Sequence, residues 1–118
     1  TIVEMSSSDF AEAIRQINFM GGESVRFEVD AENVFTLSGG DLRKISVPIR
    51  EGNGVSIVKT GEARAKYSIE YLLKAVGGEK IGDNVTIRFS KDYPLTLTYQ
   101  SVDKVTVDFV LAPRVEED

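Results

Sequence analysis

The chain has 118 residues, of which 42% are hydrophobic and 28% are charged, a composition typical of one globular domain with a modest core. It contains neither cysteine nor histidine, which excludes disulfides, thiolate or imidazole metal sites, and nucleophiles activated by histidine. The net charge of −5 argues against a surface that grips nucleic acid over its whole extent, but it permits a local basic stripe.

The first fifty residues predict a strand, a helix and three further strands. Residues 2–5 form a short apolar strand, and residues 6–9 supply the capping and acidic side chains that favour the start of a helix. An apolar stripe that begins at Phe10 predicts a helix of roughly 11 residues, which Gly21 and Gly22 end. Alternating strands then cover residues 24–30, 34–38 and 43–49, with turns at residues 31–33 and 39–41.

Pro48 lies inside the last of these strands. Proline cannot donate to a strand ladder and is therefore confined to sheet edges, bulges and strand ends. We expect the strand over residues 43–49 to form the border of its sheet.

The same order of elements repeats after a glycine-rich connection. Residues 63–67 predict a strand, Ser68 caps a short helix that Gly77-Gly78 ends, and three strands follow over residues 84–89, 95–99 and 104–111. The repeats therefore cover about residues 1–50 and 62–112. Because neither half can bury a helix and a sheet face alone, we expect an α+β domain with both helices packed on one face of a combined sheet.

The last strand has a rigid exit. Its apolar residues alternate up to Leu111, and Pro113 then stops the ladder, so the chain leaves the sheet at Ala112-Pro113. A strand that ends in this way beside a sheet edge provides an exposed surface on which another chain can bind. The alternative is an ordinary last strand followed by a solubilising acidic terminus.

These features together resemble a known protein family. The doubled unit contains Tyr93-Pro94-Leu95 in its last hairpin, ends in Leu111-Ala112-Pro113-Arg114-Val115-Glu116, and carries Ala65-Lys66-Tyr67-Ser68-Ile69-Glu70-Tyr71-Leu72 at its second helix. Over essentially its whole length, 1–118, the chain resembles the C-terminal domain of the proliferating cell nuclear antigen (PCNA) type of DNA sliding clamp, in its archaeal form. The resemblance implies the DNA-clamp fold, a curved antiparallel sheet with two helices on one face.

The resemblance also implies a function. In the family, two such domains joined by a connector loop form one subunit, and three subunits close a ring around duplex DNA. The ring is a polymerase processivity factor in replication and repair, has no catalytic activity or cofactor, and tethers polymerases, ligases and nucleases. The implied partners are duplex DNA, proteins with a clamp-binding motif, the clamp loader, and other subunits or the missing N-terminal domain. The implied location is the cytoplasm, at the nucleoid, in an archaeon and the nucleus in a eukaryote.

Three surfaces follow from the resemblance. The first is a hydrophobic pocket that binds partner peptides, with main-chain pairing along the tail. Its implied residues are Pro94, Phe109, Val110, Leu111, Ala112 and Pro113, with backbone contacts from Arg114 and Val115. The family often has an aromatic residue at the position of Val110, and the connector loop that forms the other wall is not in this chain, so we expect weaker peptide binding than in a complete clamp.

The second surface is the pair of helices, which face DNA in the family and present cations to its phosphates without sequence preference. The implied DNA-facing residues are Arg15, Lys74 and Lys80, whereas Glu12 and Glu70 make this lining poorer in cations than in some members. The alternative is an ordinary exposed helix, on which Glu70 and Lys74 form an i,i+4 pair.

The third surface is the edge strand, which in the family pairs with the first domain of the neighbouring subunit. The implied interface residues are Arg43, Lys44, Ile45, Ser46 and Val47 of the strand, with Ile14 and Ile17 of the first helix. The alternative is an ordinary sheet edge, protected from aggregation by Pro48 and the two cations.

Two other function classes compete with a clamp. An interaction module with no role on DNA is the alternative function. An enzyme is disfavoured because the acidic residues form no pair that we can place in one cleft, and because neither a P-loop nor a dinucleotide-binding motif occurs.

Overall fold

The structure is a computed structural model that describes residues 1–114. Its strands are β1 (Ile2–Ser6), β2 (Ser24–Val29), β3 (Phe35–Gly40), β4 (Lys44–Ile49), β5 (Ser56–Val58), β6 (Arg64–Ser68), β7 (Asn84–Arg88), β8 (Leu95–Gln100) and β9 (Thr106–Leu111). Its helices are α1 (Ser7–Phe19), α2 (Ile69–Ala75) and, directly after α2, a 3₁₀ helix (Val76–Lys80). No helix within this described part is long and apolar enough to cross a membrane.

The strands form two antiparallel sheets, in the orders β5-β1-β7-β8-β9 and β4-β3-β2-β6. Two helices packed on antiparallel β structure are confirmed, whereas the single combined sheet that we expected is divided into two. The division arises because each half of the chain gives its first strand to the sheet of the other half, so that β1 pairs with β7 and β6 pairs with β2. The halves interlock, and neither completes a sheet without the other.

The two helices lie side by side and connect the sheets. Helix α1 packs against β1 and β7 of the first sheet and against β3 and β4 of the second. Helix α2 packs against β9 of the first sheet and against β2 and β6 of the second, and it also contacts α1. This packing closes one core between the helices and both sheets.

Helix α1 begins where the capping residues predict. The hydroxyl of Ser6 accepts a hydrogen bond from the backbone N–H of Asp9 at 3.3 Å, which satisfies one of the unpaired donors of the first turn. The helix has 13 residues, slightly more than expected, because it already includes Ser7 and Ser8. Its buried hydrophobic residues are Phe10, Ala11, Ala13, Ile14 and Ile17.

Two glycine pairs lie within elements, although we expected Gly77-Gly78 to end the second helix and Gly39-Gly40 to belong to a turn. The α-helical hydrogen bonding of α2 ends at Ala75, but the chain continues as a 3₁₀ helix through Gly77 and Gly78. A Cβ atom at Gly78 would lie 2.3 Å from the ring of Tyr99, so glycine is required there for close packing. Similarly, Gly39 lies within β3, and a Cβ atom there would lie 2.7 Å from the side chain of Ile17.

The centre of the core is a cluster of aromatic rings around Phe27 of β2. Its ring contacts those of Phe10, Phe35, Tyr67 and Phe89, with centroid separations of 5.2–6.1 Å. Three of these contacts are edge-to-face, the geometry that aromatic quadrupoles favour. The cluster draws side chains from α1, from three strands and from the residue after β7, and therefore holds both halves together.

Two buried tyrosines differ in how their hydroxyl groups are satisfied. The hydroxyl of Tyr67 donates a hydrogen bond to the carbonyl oxygen of Tyr93 at 2.9 Å. The hydroxyl of Tyr99 is buried without a hydrogen-bond partner among residues 1–114. Burial raises the pKa of both tyrosines, to about 12 for Tyr99, where the negative charge of Glu79 adds to the effect of burial.

These raised pKa values predict a loss of stability in alkali. In the unfolded chain both tyrosines ionise near pH 10, whereas in the folded chain they remain protonated to higher pH. Above about pH 10 the unfolded state therefore binds fewer protons, and the free energy of unfolding falls as the pH rises through the folded pKa values.

The two hydroxyl groups should respond differently to removal at neutral pH. We expect Tyr67→Phe to lower the free energy of unfolding by about 1 kcal/mol, because one hydrogen bond is lost. Tyr99→Phe should leave stability unchanged or raise it, because it removes a buried hydroxyl that lacks a partner. Denaturant unfolding at pH 7 measures the effects of the two substitutions on the free energy of unfolding, and the same measurement at pH 11 shows the loss of stability in alkali. A larger loss for Tyr99→Phe than for Tyr67→Phe at pH 7 would contradict this account.

Candidate functional site

The exit from β9 lies where the sequence predicts. The last pair between β8 and β9 joins Leu95 to Leu111. Pro94, just before β8, and Ala112, just after β9, therefore lie next to each other at the same end of the sheet. Leu111 is buried, whereas Val110 is 67% exposed. The end of β9 therefore presents apolar surface to solvent beside an open strand edge.

A groove runs between α2 and the end of β9. Its volume is about 450 Å³, and it is lined by Tyr71, Lys74, Ala75, Phe109, Val110, Leu111 and Ala112. Four of the residues predicted to bind a partner peptide, those at positions 109–112, come together in this groove. Tyr71 and Ala75 were not predicted as part of it, although an exposed tyrosine on a short helix is a signal for such a surface.

Pro113 and Arg114 line a different cleft, of about 850 Å³, beside Glu23 and Lys66. The backbone N–H of Arg114 donates to the carbonyl oxygen of Lys66 at 2.8 Å. The guanidinium group of Arg114 donates to the carbonyl oxygen of Glu23 at 3.1 Å and lies 3.6 Å from its carboxylate. The N–H of Arg114, which we expected to be offered to a partner, is thus used within the chain. Val115 lies outside the described residues.

The three predicted DNA-facing cations have different surroundings. Arg15 forms an ion pair with Glu79 of the 3₁₀ helix, in which the guanidinium group donates a hydrogen bond to the carboxylate. This hydrogen bond raises the pKa of Arg15. Lys80 is the exposed neighbour of Glu79, which brings Lys80 and Arg15 to the same region of the surface. Lys74 instead lines the groove, with its Nζ atom 5.6 Å from the centre of the Tyr71 ring.

Strand β4 is at the border of the second sheet, as Pro48 predicts. Lys44 and Ser46 are exposed, as is Arg43 just before the strand, while Ile45 and Val47 are half-buried against the core. The Nζ atom of Lys44 donates to the carbonyl oxygen of Gly40 at 3.0 Å, which positions this cation over the preceding turn.

Ile14 and Ile17, the two helix residues expected at the subunit interface, have no exposed surface. They belong to the core stripe of α1, so a second chain cannot reach them in this conformation. Phe19 and Leu42, which were not predicted, are instead 88% and 98% exposed. A hydrogen bond of 3.3 Å between the N–H of Asp41 and the carbonyl oxygen of Met20 joins the ends of their segments beside β4. The sequence carries a signal for the exposure of each residue. Phe19 is an aromatic residue off the apolar stripe of its helix, and Leu42 is a leucine in a turn.

Comparison with known proteins agrees with this arrangement. The family described as proliferating cell nuclear antigen, C-terminal domain, matches residues 1–114. A DNA polymerase sliding clamp of Nanoarchaeum equitans (strain Kin4-M) is 33% identical over 116 residues, which cover 96% of this chain and 46% of that protein. Clamps of Methanocella arvoryzae and Thermococcus gammatolerans are 32% and 33% identical, covering 92% and 90% of this chain and 42% and 43% of the respective proteins.

The chain spans less than half the length of these relatives. The family match includes both helices, all nine strands of the described part and the exit from β9. The chain therefore belongs to the proliferating cell nuclear antigen family, in which it corresponds to the C-terminal domain.

Proposed function

We propose that this chain forms one half of a DNA sliding clamp subunit, a non-enzymatic processivity factor that acts as part of a ring around duplex DNA. The observation that carries the proposal is the family match over residues 1–114, together with relatives named DNA polymerase sliding clamp. Residues 1–118 make up one domain built of two repeats, at about 1–50 and 62–112. Since the relatives compared are archaeal, the expected place of action is the cytoplasm, at the nucleoid.

The groove at the end of β9 is the proposed site for partner peptides of polymerases, ligases and nucleases. Phe109, Val110, Leu111 and Ala112 supply apolar contacts for hydrophobic side chains, and Pro94 and Pro113 flank them. The backbone N–H of Arg114 already faces Lys66. Because successive residues of an extended segment point their backbone groups to opposite sides, the carbonyl oxygen of Pro113 faces away from Lys66. Main-chain pairing with a partner peptide would use this oxygen.

The surface around Arg15 and Lys80 is the proposed contact with DNA phosphates. The ion pair with Glu79 offsets part of the charge of Arg15, and Lys74 lies in the groove rather than beside them. An isolated domain thus presents few cations to a duplex, and neutralising few phosphates gives weak binding at physiological salt. Enclosure by a ring, into which a clamp loader places DNA, supplies the retention that these contacts lack.

The open edge of β4 is the proposed interface with the neighbouring subunit. Arg43, Lys44, Ile45, Ser46 and Val47 stay in this proposal, and the exposed side chains of Phe19 and Leu42 replace the buried Ile14 and Ile17. Backbone groups at such an edge favour strand addition, and an exposed phenylalanine and leucine nearby provide apolar area to bury.

This interface predicts the oligomeric state of the chain. These 118 residues alone should be a monomer, because the strand expected to pair with β4 belongs to the first domain of a neighbouring clamp subunit. Mixing them with the separately produced N-terminal half of an archaeal clamp should give a larger, closed assembly. Sedimentation velocity distinguishes the monomer from the larger assembly. Leu42→Glu should assemble poorly. Val102→Glu is its control, because Val102 is also 98% exposed but lies away from β4. A stable homotrimer of the chain alone would contradict the proposal.

The alternative function is a protein-interaction module with no role on DNA. The groove at β9 suits either function, because it explains peptide binding without a ring. The distinguishing property is retention on closed circular DNA, which only a ring provides.

A further inference from the structure

The loop between β4 and β5 closes in a tight hairpin. Gly52 and Val55 form an antiparallel bridge, in which each donates its backbone N–H to the carbonyl oxygen of the other at 3.0 Å. The two residues between them have positive φ angles, 51° for Asn53 and 88° for Gly54. Two central residues with positive φ are typical of a type I′ turn, for which Asn-Gly is a favoured pair. The conformation of the turn therefore explains why this pair stands here.

The same pair is also chemically reactive. The backbone nitrogen of the residue that follows an asparagine can attack the carboxamide carbon Cγ, because the bond between them closes a five-membered ring within one molecule. A side chain on the following residue hinders this attack, whereas glycine has none. At Gly54 no atom beyond its two chain neighbours lies within 4 Å of the position that a Cβ atom would occupy. The nitrogen of Gly54 is therefore open to the carboxamide.

The surroundings of Asn53 leave its side chain free to react. Asn53 is exposed, and its carboxamide forms no hydrogen bond within the part of the chain that the structure describes. Asn33 provides a comparison, because it also has a positive φ, of 63°. Its Nδ2 atom donates to the carboxylate of Glu51 at 2.6 Å and to the carbonyl oxygen of Ile57 at 3.0 Å, and the next residue is Val34. Asn33 thus has a fixed carboxamide and a β-branched neighbour, whereas Asn53 has neither.

The other two asparagines lie within regular elements. Asn18 is in α1 and precedes Phe19, and Asn84 begins β7 and precedes Val85. Both are exposed, so exposure does not distinguish them from Asn53. The hydrogen bonds of helix and sheet hold their backbone, and the next residue is bulky. Of the four asparagines in the sequence, only Asn53 precedes a glycine.

We propose that Asn53 is a site of spontaneous deamidation. The backbone nitrogen of Gly54 bonds to Cγ of Asn53, the bond between Cγ and Nδ2 breaks, and the proton of the Gly54 N–H leaves with the amide group as ammonia. Water then opens the resulting succinimide. Breaking its new bond to Cγ gives aspartate, whereas breaking the original main-chain bond gives isoaspartate, in which the backbone runs through Cβ. Water is the one reactant besides the chain, and the proposal is independent of the clamp function.

The two products have different effects on the hairpin. Each adds one negative charge to a chain of net charge −5, because an aspartate carboxyl ionises at about pH 4. Asp-Gly also favours a type I′ turn, so aspartate preserves the hairpin. Isoaspartate inserts an additional backbone atom between Gly52 and Val55, which separates that pair. The change stays local, because the carboxylate of Glu51 bonds to Asn33 and to the N–H of Ile57 and so holds the base of the loop.

Peptide mapping of the full chain after incubation at neutral pH and physiological temperature tests this proposal. Trypsin places the four asparagines on different peptides, because a lysine or arginine lies between each pair of them. We expect the peptide of residues 51–59 to gain the mass of deamidation at least about 10-fold faster than the other three, which a barrier lower by about 1.4 kcal/mol provides. Asn53→Gly retains a residue that adopts positive φ without strain, and its peptide should show no conversion.

The products distinguish the proposed route from direct hydrolysis. The converted peptide should separate into an aspartate and an isoaspartate form, which electron-transfer fragmentation identifies. Equal conversion of all four peptides would overturn the proposal, and so would aspartate as the sole product, since that requires no ring. In the isoaspartate form, hydrogen exchange should show the amide of Val55 losing protection while that of Ile57 keeps it. Loss at both amides, or at neither, would contradict the local change.

Discussion

Gly78→Ala is expected to destabilise the domain strongly by overpacking its core. The new methyl group would lie 2.3 Å from the ring of Tyr99, a fully buried side chain that also packs against Phe109. Neither the ring nor the 3₁₀ helix can move without disturbing the core, so the overpacking should cost about 3 kcal/mol. Thermal unfolding should show a melting temperature lowered by about 10 °C.

The neighbouring glycine supplies the control for this prediction. A Cβ atom at Gly77 would meet no other atom within 4 Å, and the residue has no positive φ. Gly77→Ala should therefore stabilise the domain by about 0.5 kcal/mol, because alanine loses less conformational entropy on folding. If the two variants melt within about 2 °C of each other, close packing is not the reason for Gly78.

Val110→Asp is expected to reduce binding of partner peptides by about 30-fold, which corresponds to about 2 kcal/mol for burying a charge beside an apolar ligand. Val110 lines the groove and is 67% exposed, so the substitution should leave folding unchanged. NMR titration of the labelled chain with a peptide from the tail of an archaeal replicative polymerase measures the change, even for weak binding. These 118 residues should themselves bind more weakly than a complete archaeal clamp, because they do not include the connector loop that the resemblance implies as the other wall of the pocket.

Val102→Asp is the control for that measurement. Val102 is 98% exposed and follows β8 at the opposite end of that strand from Pro94, far from the groove along the sheet. It should bind the peptide as the wild type does. Equal affinities of the wild type and Val110→Asp, or wild-type binding as tight as that of a complete clamp, would contradict the proposed peptide site.

The sequence contains most of the information on local structure. Period-two alternation and apolar helical stripes locate all the long strands and both helices, because the side chains facing the core must repeat with the geometry of each element. The edge position of β4 also follows from one residue, Pro48, because a missing donor can be tolerated only at a border.

Pairing between distant strands is harder to predict. The partnership of β1 with β7 and of β6 with β2 joins residues from opposite halves of the chain, and no local pattern encodes it. The two sheets were therefore expected as one. Close packing is equally invisible, since Gly78 is indistinguishable from a helix terminator until the ring of Tyr99 is placed beside it.

The candidate site was predictable in part. The apolar residues 109–112 follow from the strand pattern and the family resemblance, but the contribution of Tyr71 depends on how α2 packs on β9. Ile14 and Ile17 were expected at an interface although their stripe is the one that faces the core. Phe19, off that stripe, is exposed for the same geometric reason.

Retention on closed circular DNA is the most direct test of the central claim that this chain is half of a ring-forming clamp subunit. The chain would be combined with the N-terminal half of the Nanoarchaeum equitans clamp and loaded onto a nicked plasmid by that organism's clamp loader. We expect the assembly to elute with the circular DNA at salt concentrations that abolish phosphate contacts, and to be lost when the plasmid is cut once. Failure to be retained, or retention that survives linearisation, would contradict the account.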